Sequence, residues 1–149
     1  MSHKFLIVED DEKETVIIKE ILTKRGIYFK LVSNNNNALH ELARDDPNLD
    51  NPHGYTGVIT DLYFPVSELT DKVQPFGFCL YGFAKGEVGI PCVICTKYNA
   101  HSDNGWAELM AYSMGIQDEV FFDKDWGGAV DKLIYRRIIN LSSFIKTKK

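Results

Sequence analysis

The sequence predicts an α/β fold, (βα)5, in which five strand-helix units build a doubly wound five-stranded parallel sheet. Three observations predict it. Short unbroken apolar runs such as Phe5-Leu6-Ile7-Val8 have the composition of strands buried on both faces. Between them lie segments whose apolar residues recur at helical spacing, and regular alternation of the two implies parallel strands joined by right-handed helical crossovers. The runs stop abruptly at polar residues, first at Glu9-Asp10 and later at Asp61, Thr96 and Asp123-Lys124.

The first strand, ending at Val8, is followed by a helix with Ile17, Ile18, Ile21 and Leu22 as its apolar face. Asp11 with Glu14 resembles a capping box at its start, and Gly26 stands where a C-terminal cap belongs. Ile27 to Val32 is rich in strand formers, and Asn34 to Asn37 supply caps for a second helix facing inward through Ala38, Leu39, Leu42 and Ala43. Asp46 before Pro47 should end that helix. A polar connection leads to the third strand, Gly57 to Asp61, and 62–76 reads as a long loop containing Pro65 and Pro75. Phe76 to Lys85 reads as a third helix, although Gly77 and Gly82 weaken it. Pro91 to Cys95 forms a fourth strand. A helix capped by Ser102 or Asp103 then carries Trp106, Leu109, Met110 and Met114, expected mostly to pack as core. Val120 to Phe122 is a short fifth strand, and the last helix presents Val130, Leu133, Ile134, Ile138, Leu141 and Ile145 on one stripe.

Composition sets further bounds. The chain has 149 residues, 44% of them hydrophobic, and a formal charge of −4, so one domain can bury a core without disulfide or metal staples. Asp131 to Lys149 holds six Lys/Arg and one acid, a basic helix end and tail over 136–149 that complements the helix dipole. The acidic body before it repels phosphate and argues against direct nucleic-acid binding. No run approaches the roughly 18 apolar residues of a membrane span, and the N-terminus lacks a signal-peptide layout. A cytoplasmic location with reduced thiols is therefore expected. Cys92 and Cys95, three apart on a strand, point to opposite faces and read as core residues rather than a redox or metal pair. His3, His40, His53 and His101 lack ligand spacing.

In an open parallel sheet, functional residues gather outside the carboxyl ends of the strands. Glu9, Asp10, Asp61, Thr96 and Lys124 should therefore converge at one edge. Three adjacent carboxylates repel unless a cation sits among them, and an oxygen-only set with room for water favours Mg²⁺. With Mg²⁺ and Lys124 neutralising the pocket, Asp61 can attack a phosphoryl group while Thr96 offers a hydroxyl to one of its oxygens.

The runs Phe5-Leu6-Ile7-Val8-Glu9-Asp10-Asp11, Ile59-Thr60-Asp61 with Pro65 four residues on, Val93-Ile94-Cys95-Thr96 and Phe121-Phe122-Asp123-Lys124 together resemble response-regulator receiver domains of two-component signalling, over about residues 4 to 146. The resemblance implies a flavodoxin-like sheet in strand order 2-1-3-4-5. It also implies phosphoryl transfer to Asp61 from a histidine kinase or histidine phosphotransfer protein. Asp10 and Asp61 would bind Mg²⁺ directly with the Tyr63 backbone carbonyl, Glu9 would act largely through water, and Phe121 would be the switch aromatic. Such a chain is a phosphoacceptor signalling domain and not an enzyme beyond self-catalysed phosphotransfer and autodephosphorylation. With the resemblance filling the chain, a stand-alone receiver that signals through contacts with a downstream protein is expected, with a homodimer among its partners.

Three residues or segments depart from the pattern. Asp125 stands where receivers usually have proline, Lys97 follows the hydroxyl residue where a small residue is usual, and 62–76 is several residues longer than the usual link to the glycine, here Gly77. These features keep a second reading alive, a pseudo-receiver that binds partners without switching. An aspartate-nucleophile phosphatase would need an acid where Tyr63 stands, and a dinucleotide site would need glycines where Glu9-Asp10-Asp11 stands.

Overall fold

The computed structural model describes residues 3–43, 54–97 and 105–135. The expected stop at Asp46-Pro47, the cap at Ser102 or Asp103, His53, His101, Ile138, Leu141, Ile145 and the tail over 136–149 lie outside these residues. Seven strands and the helices between them follow in the order β1 (Lys4–Val8), α1 (Glu12–Lys24), β2 (Tyr28–Val32), α2 (Asn35–Ala43), β3 (Gly57–Thr60), β4 (Phe64–Pro65), β5 (Val73–Gln74), α3 (Phe76–Gly82), β6 (Cys92–Cys95), α4 (Gly105–Ser113), β7 (Val120–Phe121) and α5 over 126–135. Five strands form one parallel sheet in the order β2-β1-β3-β6-β7. With the β4–β5 hairpin set aside, this is the doubly wound order 2-1-3-4-5.

Both faces of the sheet are covered. Leu6, Val8, Val58, Cys92 and Ile94 pack toward α2, α3 and α4, whereas Phe5, Ile7, Ile59, Val93 and Cys95 pack toward α1 and α5. Alternation along each strand therefore sends every second residue into one of two cores, the arrangement that unbroken apolar runs predict. Cys92 and Cys95 are fully buried on opposite faces, and desolvation pushes the Cys95 thiol well above its ordinary range.

Several expectations are corrected. On α1, Ile18 and Leu22 are buried but Ile17 faces solvent. Asp11 caps this helix by accepting from the Lys13 N–H at 2.9 Å, but there is no capping box of the expected kind, because Glu14 instead accepts from the Trp126 indole. Trp106, Leu109, Met110 and Met114 are exposed rather than core. The sheet-facing positions of α4 are Ala107 and Ala111, small side chains one turn apart that bring the helix close to the sheet and turn the large apolar residues outward. The α3 segment becomes π-helical from Phe83 to Val88, three residues past the expected end. The loop 62–76 is not structureless: β4 and β5 pair antiparallel, Phe64 with Gln74 and Pro65 with Val73, and Val66 accepts from the Asn36 N–H at 2.9 Å, tying the insertion to the start of α2.

This insertion ends on Gly77, whose N–H donates to the Leu62 carbonyl at 3.0 Å. A Cβ at Gly77 would lie 2.5 Å from the Asp61 carbonyl oxygen and 2.8 Å from Leu62 Cα, both rigid backbone atoms. Only glycine lets α3 approach the tip of β3 so closely. Gly77→Ala is expected to lower stability by about 1–3 kcal/mol, measured by denaturant unfolding; a wild-type midpoint would contradict this packing.

Candidate functional site

The carboxyl ends of β1, β3, β6 and β7 bring together residues widely separated in sequence. A cavity of about 280 Å³ at this edge is lined by Glu9, Asp10, Asp61, Tyr63, Lys97 and Lys124, with Val73 of the β4–β5 hairpin and Asp11 completing its wall. Carboxylate oxygens of Glu9, Asp10 and Asp61 all lie within 4.8 Å of one another. A larger cavity of about 670 Å³ opens between α1 and α2 and shares Glu9 and Asp10, but Asp61 and Lys124 face the smaller one.

Each side chain is held by its own element. Glu9 directly follows β1 and is buried, and its Oε1 accepts from the Asp10 and Asp11 N–H groups at 3.1 Å each. Its Oε2 is paired with the Lys124 ammonium. Asp61 continues β3, its N–H bonded to the Val8 carbonyl at 2.8 Å, and its Oδ1 accepts from the Leu62 N–H at 2.7 Å. The Lys124 Nζ lies 3.1 Å from Asp61 Oδ1, so one buried cation bridges two buried carboxylates. Asp10 is exposed at the mouth of the cavity.

Two of the expected site residues are not among those lining the cavity. Thr96 is fully buried and is not part of the cavity wall; its backbone accepts from the Lys124 N–H at 3.0 Å and donates to Phe121 at 2.9 Å. Phe121 is half-buried and packs on the α1–α5 side of the sheet.

The segment after β7 is built without proline. Asp123 and Lys124 both adopt left-handed backbone, at φ of 58° and 54°, a conformation that costs about 1–2 kcal/mol per non-glycine residue and persists because the surroundings hold it. Asp125 caps α5, its Oδ1 accepting from the Gly128 N–H at 3.0 Å, which gives a local reason for an acid at this position. Trp126 closes the turn by donating its N–H to the Lys124 carbonyl at 2.8 Å.

The charges of the cavity do not cancel. Burial, reinforced by the Asp61 charge, pushes Glu9 up to about 8 against the opposing pull of Lys124, and burial raises Asp61 as well despite the same lysine. Burial alone would lower Lys124, but Asp61 and Glu9 together hold it above its ordinary value. The four carboxylates of the wall, Glu9, Asp10, Asp11 and Asp61, thus outnumber its two lysines, Lys97 and Lys124, and the acidic excess suits a divalent cation. The donors are hard oxygens, a set that fits Mg²⁺.

No protein-family model matches the chain, and no curated protein matches it. Solved structures do. The bacteriophytochrome response regulator AtBRR superposes with a TM-score of 0.62 at 20% identity over 91% of each chain. The BeF3-activated N-terminal receiver domain of Klebsiella pneumoniae RstA gives 0.57 at 21% identity, over 81% of this chain and 86% of its own. The fold is that of a response-regulator receiver domain. A protein described as adenylate cyclase from Rhodopirellula baltica is similar too, with a TM-score of 0.67 at 16% identity over 100% of this chain and 99% of that one. One fold hosts many functions, so function has to be argued from the acid–lysine edge of this receiver fold. No helix among the described residues is long and apolar enough to cross a membrane.

Some features of the edge had no counterpart in the sequence reading. The β4–β5 hairpin places Val73 on the cavity wall, and Trp126 lies with its ring 5.0 Å from the Lys124 ammonium. An aromatic two residues after a strand-end lysine was the available signal for the second.

If the cluster takes Mg²⁺, a concentration ten times its Kd raises the unfolding midpoint by about 3–6 °C. Asp10→Asn, which relieves repulsion, should raise the metal-free midpoint by about 1–2 °C and remove most of the Mg²⁺ response. Thermal scans with and without Mg²⁺ decide this; a wild-type midpoint indifferent to Mg²⁺ would contradict a cation site.

Proposed function

We propose that the chain is a receiver that accepts a phosphoryl group on Asp61 from the phosphohistidine of a histidine kinase or phosphotransfer protein. The observation that carries this reading is the Asp61 carboxylate at the tip of the central strand β3, 3.1 Å from the Lys124 ammonium and clustered with Glu9 and Asp10.

Asp61 has to be ionised to act as nucleophile, and burial opposes that. Lys124 supplies part of the compensation. Bound Mg²⁺ would supply the rest and neutralise charge on the phosphoryl oxygens; Asp10, Asp61 and the Tyr63 carbonyl would hold it, with Glu9 acting largely through water. An Asp61 oxygen attacks phosphorus opposite the donor nitrogen. The new P–O bond forms as the P–N bond breaks, and the electron pair stays on the imidazole, which takes up a proton from water. Lys124 then faces the phosphoryl oxygens. Thr96 would turn its hydroxyl to the same group, and Phe121 would respond as the switch aromatic. Hydrolysis reverses the state, water attacking phosphorus and Asp61 leaving as carboxylate. The chain is therefore a signalling module rather than an enzyme acting on an external substrate, with a downstream protein as its target and the cytoplasm, where kinases present phosphohistidine, as its location.

Incubation with Mg²⁺ and acetyl phosphate should add one phosphoryl group, located by fragmentation mass spectrometry on Asp61. Addition should be lost on chelation of Mg²⁺ and in Asp61→Asn. Absence of the adduct with acetyl phosphate and with a phosphorylated histidine donor alike would overturn this reading in favour of a constitutive binding module.

A further inference from the structure

Glu9 and Asp61 pair with the Lys124 ammonium, and a third group, an aromatic ring, packs against it from the turn that follows β7. That residue is Trp126. It is 2% exposed, and its backbone N–H, bonded to the Lys124 carbonyl at 2.8 Å, folds the ring back toward the side chain two residues earlier. The Lys124 Nζ stands 5.0 Å from the centre of that ring, within the range of a cation–π contact. On its far edge the indole Nε1–H donates to Glu14 Oε2 of α1 at 2.7 Å. A carboxylate accepting from the indole fixes the ring's rotation and enriches its π face, strengthening attraction for a cation above it.

We propose that Trp126, oriented by Glu14, is a positioning residue that holds the Lys124 ammonium between Glu9 and Asp61, ready for the phosphoryl oxygens. This rests on the reading of Asp61 as phosphoacceptor. A merely structural Trp126 would fill the α1–α5 core and leave the lysine indifferent to it. A positioning Trp126 offers Lys124 a fixed, water-poor anchor that does not compete with the anionic groups. Its loss therefore slows transfer at saturating donor more than it weakens donor binding.

Two measurements on the full chain test this. In a Trp106→Phe background, where Trp126 is the remaining tryptophan, Lys124→Met should shift or brighten its emission in the absence of any phosphodonor. Unchanged emission would overturn the contact. The second measurement is the rate of Asp61 phosphorylation across acetyl phosphate concentrations with Mg²⁺. Trp126→Leu should lower the saturating rate about tenfold, with the half-saturating concentration moving less than about twofold, whereas Trp126→Phe, which keeps an aromatic face, should recover most of the loss. Glu14→Ala leaves the core packed and should cost about threefold, and Glu14→Gln, which keeps an acceptor, should restore the wild-type rate. Leucine and alanine variants that fold and match the wild-type rate would overturn the proposal. If the wild-type chain itself takes no phosphoryl group, the reading of Asp61 falls with its catalytic consequence, while the emission measurement still decides whether the contact exists.

Discussion

A buried ammonium held between two buried carboxylates is the interaction on which this structure turns. Lys124 reaches Glu9 and Asp61 from the turn after β7, the edge strand of the sheet, so the ends of β1, β3 and the β7–α5 turn are joined through one charge. Removing either kind of partner leaves an uncompensated buried charge, the costly case for ion pairs. Yet the cavity is over-supplied with acid, since Asp10 and Asp11 add two carboxylates and Lys97 one more cation. A structural pair would be balanced. The imbalance sits at a concave edge where burial raises both Glu9 and Asp61, and perturbed carboxylates of this kind gather at functional sites.

The rest of the fold brings these groups to one place. Parallel strands with helices on both faces bring Glu9, Asp10, Asp61 and Lys124 to the same edge, and two apolar cores fix the register of β1, β3 and β6 against slippage. Gly77 lets α3 start directly against the Asp61 backbone, while the β4–β5 hairpin leans back toward α2 and contributes Val73 to the cavity wall. On the other side, Asp125 caps α5 and Trp126 closes the turn, so that two residues in left-handed backbone present Lys124 inward. The acid at position 125 thus serves α5 as its cap.

Much of this was legible in the residues. The unbroken apolar runs and the polar residues at their ends located four of the five sheet strands and the edge that matters, because full burial and strand termination each leave a local signature. Asn34, with its Oδ1 accepting from the Asn37 N–H at 2.8 Å, and Gly26 at φ 66° show that cap chemistry was legible too. What failed depended on partners distant in sequence. The exposed face of α4 was misread because Trp106 and Met110 are apolar by composition, whereas closeness to the sheet selects Ala107 and Ala111. Glu14 looked like half of a capping box, and its actual partner, Trp126, lies more than a hundred residues away. The hairpin in 62–76 is too short to carry a periodicity. Thr96 was correctly placed at a strand end, but no pattern in one strand says whether its side chain reaches the cavity.

Whether this edge holds a phosphoryl group on Asp61 between Lys124 and a divalent cation is tested most directly by a crystal structure of the chain grown with Mg²⁺ and beryllofluoride. Beryllofluoride is expected on an Asp61 oxygen, with Lys124 shifted from Glu9 onto a fluorine and Mg²⁺ between Asp10, Asp61 and the Tyr63 carbonyl. Crystals in which Asp61 carries no adduct and the Lys124–Glu9 pair is unchanged would contradict this arrangement.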